Sequence, residues 1–144
     1  MSPELCEIHE ALMSIGRRRA ALDAEEMRWL RRALEVRIWQ ALGMVSPLDY
    51  LERKCGYAPR TAADRLRVAE ALAHLPAIEG ALARGEIPFS AVREIVRVAM
   101  PATERAWVAA CNDKNLQVTL VLHGTVHPVE RPRDPVRAAH VGGS

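Results

Sequence analysis

Arg60, Thr61 and Arg65 open a helix-forming run, RTAADRLRVAEAL, that follows a turn centred on Gly56. A guanidinium matches a phosphate or the edge of a guanine, and a hydroxyl bonds to either. Such residues in the first turns of a second helix, after a tight turn, are what a helix-turn-helix needs to reach a nucleic-acid groove. The spacing predicts that Thr61 and Arg65 face a groove while Arg60 meets a phosphate. Arg67 on the same helix, and Arg93 and Arg97 four apart on a later one, extend the set of DNA-contacting candidates. Two positions depart from the familiar pattern: Glu52 stands where a small residue is usual, and Arg65 where an apolar one is. The plainer alternative is an ordinary helix pair with a charged outer face, on which Glu94 pairs with a neighbouring arginine.

Other chemistries lack their residues. The chain has no Gly-flanked Ser, no phosphate-cradling Gly loop and no close Cys and His pair. Cys6, Cys55 and Cys111 lie far apart, which fits neither a disulfide framework nor a zinc knuckle, and agrees with the reduced thiols of a cytoplasm. His123, His127 and His140 have ligand-like spacing but no fourth donor, so neither a metal nor a cofactor is expected. Asp23, Glu25 and Glu26 cluster, and helix capping accounts for them. No apolar run approaches the roughly 20 residues of a bilayer span. The start, MSPELCEIHEALMSIG, has acids before its apolar residues and does not read as a secretory leader.

The elements that position these residues are helical. The 144 residues are 49% hydrophobic with six aromatics, and Ala, Leu, Arg and Glu dominate, all good helix formers. Eighteen arginines stand against two lysines, yet the net charge is only +2, so any basic surface has to come from local segregation. Ser2, Pro3 and Glu4 make a helix start, with Leu5, Ile8, Leu12 and Ile15 at helical spacing and Arg17, Arg18 and Arg19 near its end. Asp23 and Glu26 read as a capping box, with Leu22 and Met27 as its staple, opening a second helix that runs to about Leu42. That helix carries two stripes: Met27, Leu30, Leu34, Ile38 and Ala41, and Trp29, Val36 and Trp39. The Trp stripe is either packed within the domain or a face for a protein partner or a second copy. Ser46 with Pro47, Pro59, Pro76, Ser90 and Pro101 mark further helix starts.

Beyond Asn112 the alternation of Leu116, Val118, Leu120 and Leu122 has a strand period, and from Gly124 the chain is rich in Pro and charge. The expected architecture is all-α: a single bundle of about seven helices containing a helix-turn-helix-like unit. The helical domain covers residues 1–123 and a flexible Pro-rich tail covers 124–144. The expected core includes Leu12, Leu30, Leu34, Ile38, Leu51, Leu66, Leu72, Leu82, Val92, Ile95 and Val96.

The strings RTAADRLRVAEAL and PFSAVREIVRVA, with the longer run from Glu4 to about Ala110, resemble the N-terminal helical region of bacterial HNH endonucleases. That region is a family of unknown function that precedes an HNH nuclease module. The order of helix, turn, Arg helix and LP is also similar, more loosely, to the DNA-binding part of ParB-type partition proteins. The resemblance implies a non-catalytic DNA-binding accessory domain in a bacterial cytoplasm. The family's hydrolytic histidines belong to a C-terminal module before which this chain ends, so a diverged, truncated or frame-shifted member is expected and the resemblance assigns no catalytic residue. The alternative is a helical interaction or oligomerisation module that binds no DNA.

Overall fold

Ser2 caps the first helix: its hydroxyl accepts from the Leu5 N–H at 3.2 Å, and Pro3 and Glu4 follow. In the computed structural model, which describes residues 2–112, this helix, α1, runs unbroken from Pro3 to Val36. The break expected at Asp23 does not occur. Good helix formers fill the stretch from Arg17 to Leu22, and neither Pro nor Gly interrupts it. Asp and Glu three apart are also what a continuous helix needs to place two carboxylates on one face, and that is their use here.

α1 ends at Arg37, whose φ of 54° is left-handed. That conformation costs a residue with a Cβ about 1–2 kcal/mol. Its N–H still reaches the carbonyls of Ala33 and Leu34. The reversal separates a short helix α2 (Ile38–Ala41) from α1. The Trp29, Val36 and Trp39 stripe is thereby divided. Trp29 and Val36 are 67% and 54% exposed, whereas Trp39 is half-buried in a small apolar pocket with Leu30, Leu34 and Tyr50.

Ser46 caps α3 (Pro47–Lys54), accepting from the Asp49 N–H at 3.1 Å. Gly56, at φ 74°, closes that helix while Cys55 and Tyr57 both donate to the Leu51 carbonyl at 3.2 Å. This satisfies a carbonyl that the helix end would leave bare. Then follow α4 (Pro59–Leu72), α5 (Pro76–Ala83), α6 (Phe89–Ile95) and α7 (Glu104–Asn112). α6 begins before Ser90, which therefore does not cap it, and α7 begins three residues after Pro101. Seven helices and no strand make up the described residues, an all-α fold. None of these helices is long and apolar enough to cross a membrane. The strand-like stretch and the Pro-rich tail lie outside the described residues.

α1 packs on α4 and α5, α3 packs on α4, and α5 packs on α7. The core is Met27 and Leu30 from α1, Leu51, Val68, Leu72, Ile78, Leu82, Ile87, Val92, Ile95 and Trp107, closed by small alanines such as Ala24, Ala62 and Ala69. Leu66 and Val96 pack against it from its margin. Leu34 and Ile38 are half-buried. Leu12, expected inside, is 58% exposed, because α1 extends beyond the other helices before Ala20, its first buried residue.

α5 has no capping side chain of its own at Leu75. Glu104 of α7 supplies one: a single oxygen, Oε2, accepts from the Ala77 N–H at 2.9 Å and the Ile78 N–H at 3.1 Å. A carboxylate at a helix N-terminus suits both the bare donors and the dipole. Glu104 is the one buried charged residue among the described residues. Glu104→Ala strands two amide donors and is expected to cost about 2–3 kcal/mol. Glu104→Gln keeps an acceptor and is expected to cost less. A shift of the urea midpoint at constant slope measures both.

Candidate nucleic-acid interface

The α3–turn–α4 unit has the predicted layout. Leu51 and Ala62, both fully buried, form the small core between its helices. α4 starts at Pro59 with Ala58 at its cap position, so no side chain occupies the donors of its first turn. Arg60 and Thr61 are exposed on that turn, and Arg60 makes no ion pair among the described residues. At the end of α3, Lys54 is exposed and Arg53, 69% exposed, leans on Asp49 at 3.2 Å. Cations there complement the dipole of α3 as well as lying beside the turn.

Arg65 is a different matter, and the groove-facing role expected of it is corrected. Its side chain is only 14% exposed and turns into the body. Nη1 donates to Asp23 Oδ1 at 2.6 Å and to Glu26 Oε2 at 3.1 Å. The guanidinium lies 3.8 Å from the centre of the Phe89 ring and 5.5 Å from that of Tyr57. Its Nε is buried without a hydrogen-bond partner, which agrees with a group held by ring stacking and two carboxylates. The position is the one where the helix-turn-helix pattern expects an apolar residue, and an inward-facing residue is what occupies it.

Tyr57 completes the cluster. Its hydroxyl donates to both oxygens of Glu26, at 2.7 and 3.0 Å. Burial foremost, then the hydrogen bond to Glu26, pushes its hydroxyl up to about 12. Burial and the Glu26 charge also push the Cys55 thiol up. Cys111 is pushed up to about 11 by burial alone, and all three cysteines are free thiols. For Cys55 and Cys111 the shift is opposite to the one that activates a thiolate.

Arg67, with a side chain 36% exposed, is engaged by the protein along one side. Its two terminal nitrogens donate to the Arg93 carbonyl at 3.3 and 3.2 Å, tying α4 to the last turn of α6. Arg93 and Arg97 share Glu94, at 3.4 and 3.6 Å, as the plainer alternative expected. Their side chains remain 37% and 54% exposed. The six candidate residues therefore divide. Arg60 and Thr61 are exposed on the first turn of α4 with no ion pair among the described residues, Arg93 and Arg97 form a part-neutralised pair, Arg67 is part-exposed but tied to α6, and Arg65 serves the fold.

Sequence reasoning missed Asp23 and Glu26 as the counter-charges of Arg65, and Glu104 as a cap. A signal for the first was present: a cation at an apolar position of a helix-turn-helix pattern calls for a buried acid elsewhere. Among the described residues no group of three His, Cys, Asp or Glu is placed to hold a metal. The tail histidines lie outside them.

No family model, curated protein or solved structure matches this chain.

Proposed function

We propose that this chain is a non-catalytic nucleic-acid-binding domain that uses the α3–turn–α4 unit. The observation that carries the reading is the exposed Arg60 and Thr61 at the open N-terminus of α4, directly after the Gly56 turn. Amide donors and a helix dipole there favour a phosphate, and Arg60 adds a charge that no acid among the described residues pairs with. Lys54 and Arg53 extend the positive edge along the backbone. Arg93 and Arg97 add to it more weakly, because Glu94 offsets part of their charge. The likeness of RTAADRLRVAEAL to the region preceding HNH nucleases supports the same reading, with the nuclease chemistry supplied elsewhere.

Fluorescence anisotropy with a labelled duplex across salt concentrations tests it. Binding is expected at low salt, with a log–log slope of about −0.9 per phosphate neutralised. Arg60→Ala is expected to weaken binding and reduce that slope by about one phosphate equivalent. Absence of binding at low salt, or an unchanged slope in an Arg60→Ala, Lys54→Ala double mutant, overturns the reading.

A second reading rests on Trp29. An indole 67% exposed on a helix, about two turns from an exposed Val36, is apolar surface open to a partner. A protein-interaction module that binds no DNA accounts for it. The same anisotropy titration separates the two.

A further inference from the structure

The first half of α1 has no buried residue before Ala20, yet it is not polar. Leu5, Ile8, Leu12 and Ile15 are 54%, 49%, 58% and 37% exposed, and Leu22 is 64% exposed. Their spacing of three, four and three is the a and d pattern of a heptad seam, and Leu22 falls on the next d position. Isolated helices of this length are marginal in water, since most helix stability in proteins comes from packing an apolar face. The Ser2 cap nevertheless specifies the helix start.

Charge along this segment is polarised. Glu4, Glu7 and Glu10 occupy its beginning, and Arg17, Arg18 and Arg19 occupy its base. A second copy laid parallel sets acid against acid and Arg against Arg. A copy laid antiparallel brings the acidic start of each toward the arginine base of the other. We propose that the segment from Leu5 to Ile15 is an antiparallel two-fold interface between two copies of this chain. A register centred on Glu10 aligns Leu5 with Ile15 of the second copy and Ile8 with Leu12 of the second copy. All four seam layers are then apolar. The positions beside the seam set Glu4 near Arg18 of the second copy, and the two-fold repeats that pair. Ala11, also beside the seam, meets its own symmetry mate and leaves room for close approach. This surface is distinct from the α3–α4 unit, so the inference stands apart from nucleic-acid binding.

Sedimentation equilibrium or light scattering on the full chain tests it. A dimer mass is expected at tens of micromolar, dissociating on dilution. Leu12→Glu is expected to raise the dimer dissociation constant at least about 100-fold, because the two-fold axis counts the lost burial twice. Its far-UV spectrum and thermal midpoint below the dimer concentration should match the parent, since Leu12 is 58% exposed and not a member of the core. Arg18→Glu is expected to weaken the dimer, and Glu4→Arg combined with Arg18→Glu to restore it. A monomer at every concentration overturns the proposal, including the case in which residues 113–144 of the same chain cover the seam. A dimer indifferent to Leu12→Glu, or a charge swap that fails to restore pairing, also overturns it.

Discussion

Arg65→Ala is expected to destabilise the protein by about 3 kcal/mol, far more than the loss of an exposed arginine. The reason is what it leaves behind. Asp23 and Glu26 are only 21% and 29% exposed, and both depend on the same guanidinium nitrogen. Removing it leaves two carboxylates side by side without their cation, Glu26 keeping only the Tyr57 hydroxyl, and takes a stacked cation from Phe89. The partial exposure of both acids places the cost at the lower end of what a fully buried pair would show. Urea denaturation followed by tryptophan fluorescence measures the loss. A double-mutant cycle with Asp23→Asn is expected to be strongly non-additive, because the two residues share one contact. A cost below about 1 kcal/mol returns Arg65 to the list of surface cations and reopens a DNA-contacting role for it.

The same cluster has an alkaline signature. Tyr57 is held neutral up to about 12, above its ordinary 10.0. The folded state therefore keeps the phenol proton that the unfolded chain gives up. That contribution to stability is complete below pH 10 and is lost as pH rises toward 12.

Gly85→Ala is expected to cost about 2–4 kcal/mol, from two causes that add. Gly85 adopts φ 73°, and a Cβ placed there would lie 2.7 Å from the Arg17 Cβ and 2.9 Å from its Cα. The close atoms include backbone of α1, so no side-chain rotation relieves them. Gly85 ends α5, donating to the Leu82 carbonyl at 3.0 Å, and it is where the loop after α5 meets the base of the α1 extension. Gly56→Ala is the control. Gly56 has the same backbone sign, φ 74°, but open space around it. It is expected to cost only about 1 kcal/mol, so the difference between the two variants isolates the steric contact. Equal losses in both would show that α1 yields at Arg17.

Much of the helical plan is local and was readable. Ser2 and Ser46 cap where their sequences predict, each accepting from an amide three residues on. Pro47, Pro59 and Pro76 each open a helix, and Gly56 closes one. Leu30, Leu51, Leu72, Leu82, Val92 and Ile95 are buried as periodicity implies. The candidate site was readable only in part. Arg60 and Thr61 are where an exposed pair was expected, whereas Arg65 turns inward to acids 39 to 42 residues distant in sequence and Arg67 bonds to a carbonyl 26 residues distant.

By itself, then, the sequence determined the all-α class, most of the helix starts and the turn before α4, because capping, proline geometry and apolar period act within a few residues. Only the tertiary structure decided that Asp23 and Glu26 grip Arg65 instead of opening a helix. It also decided that Glu104 caps a helix two elements away, and that the Trp stripe divides at Arg37. An acid three residues after another is compatible with a cap or with one face of an unbroken helix. Which it becomes depends on the charge that a neighbouring helix brings to it, and that is set by packing.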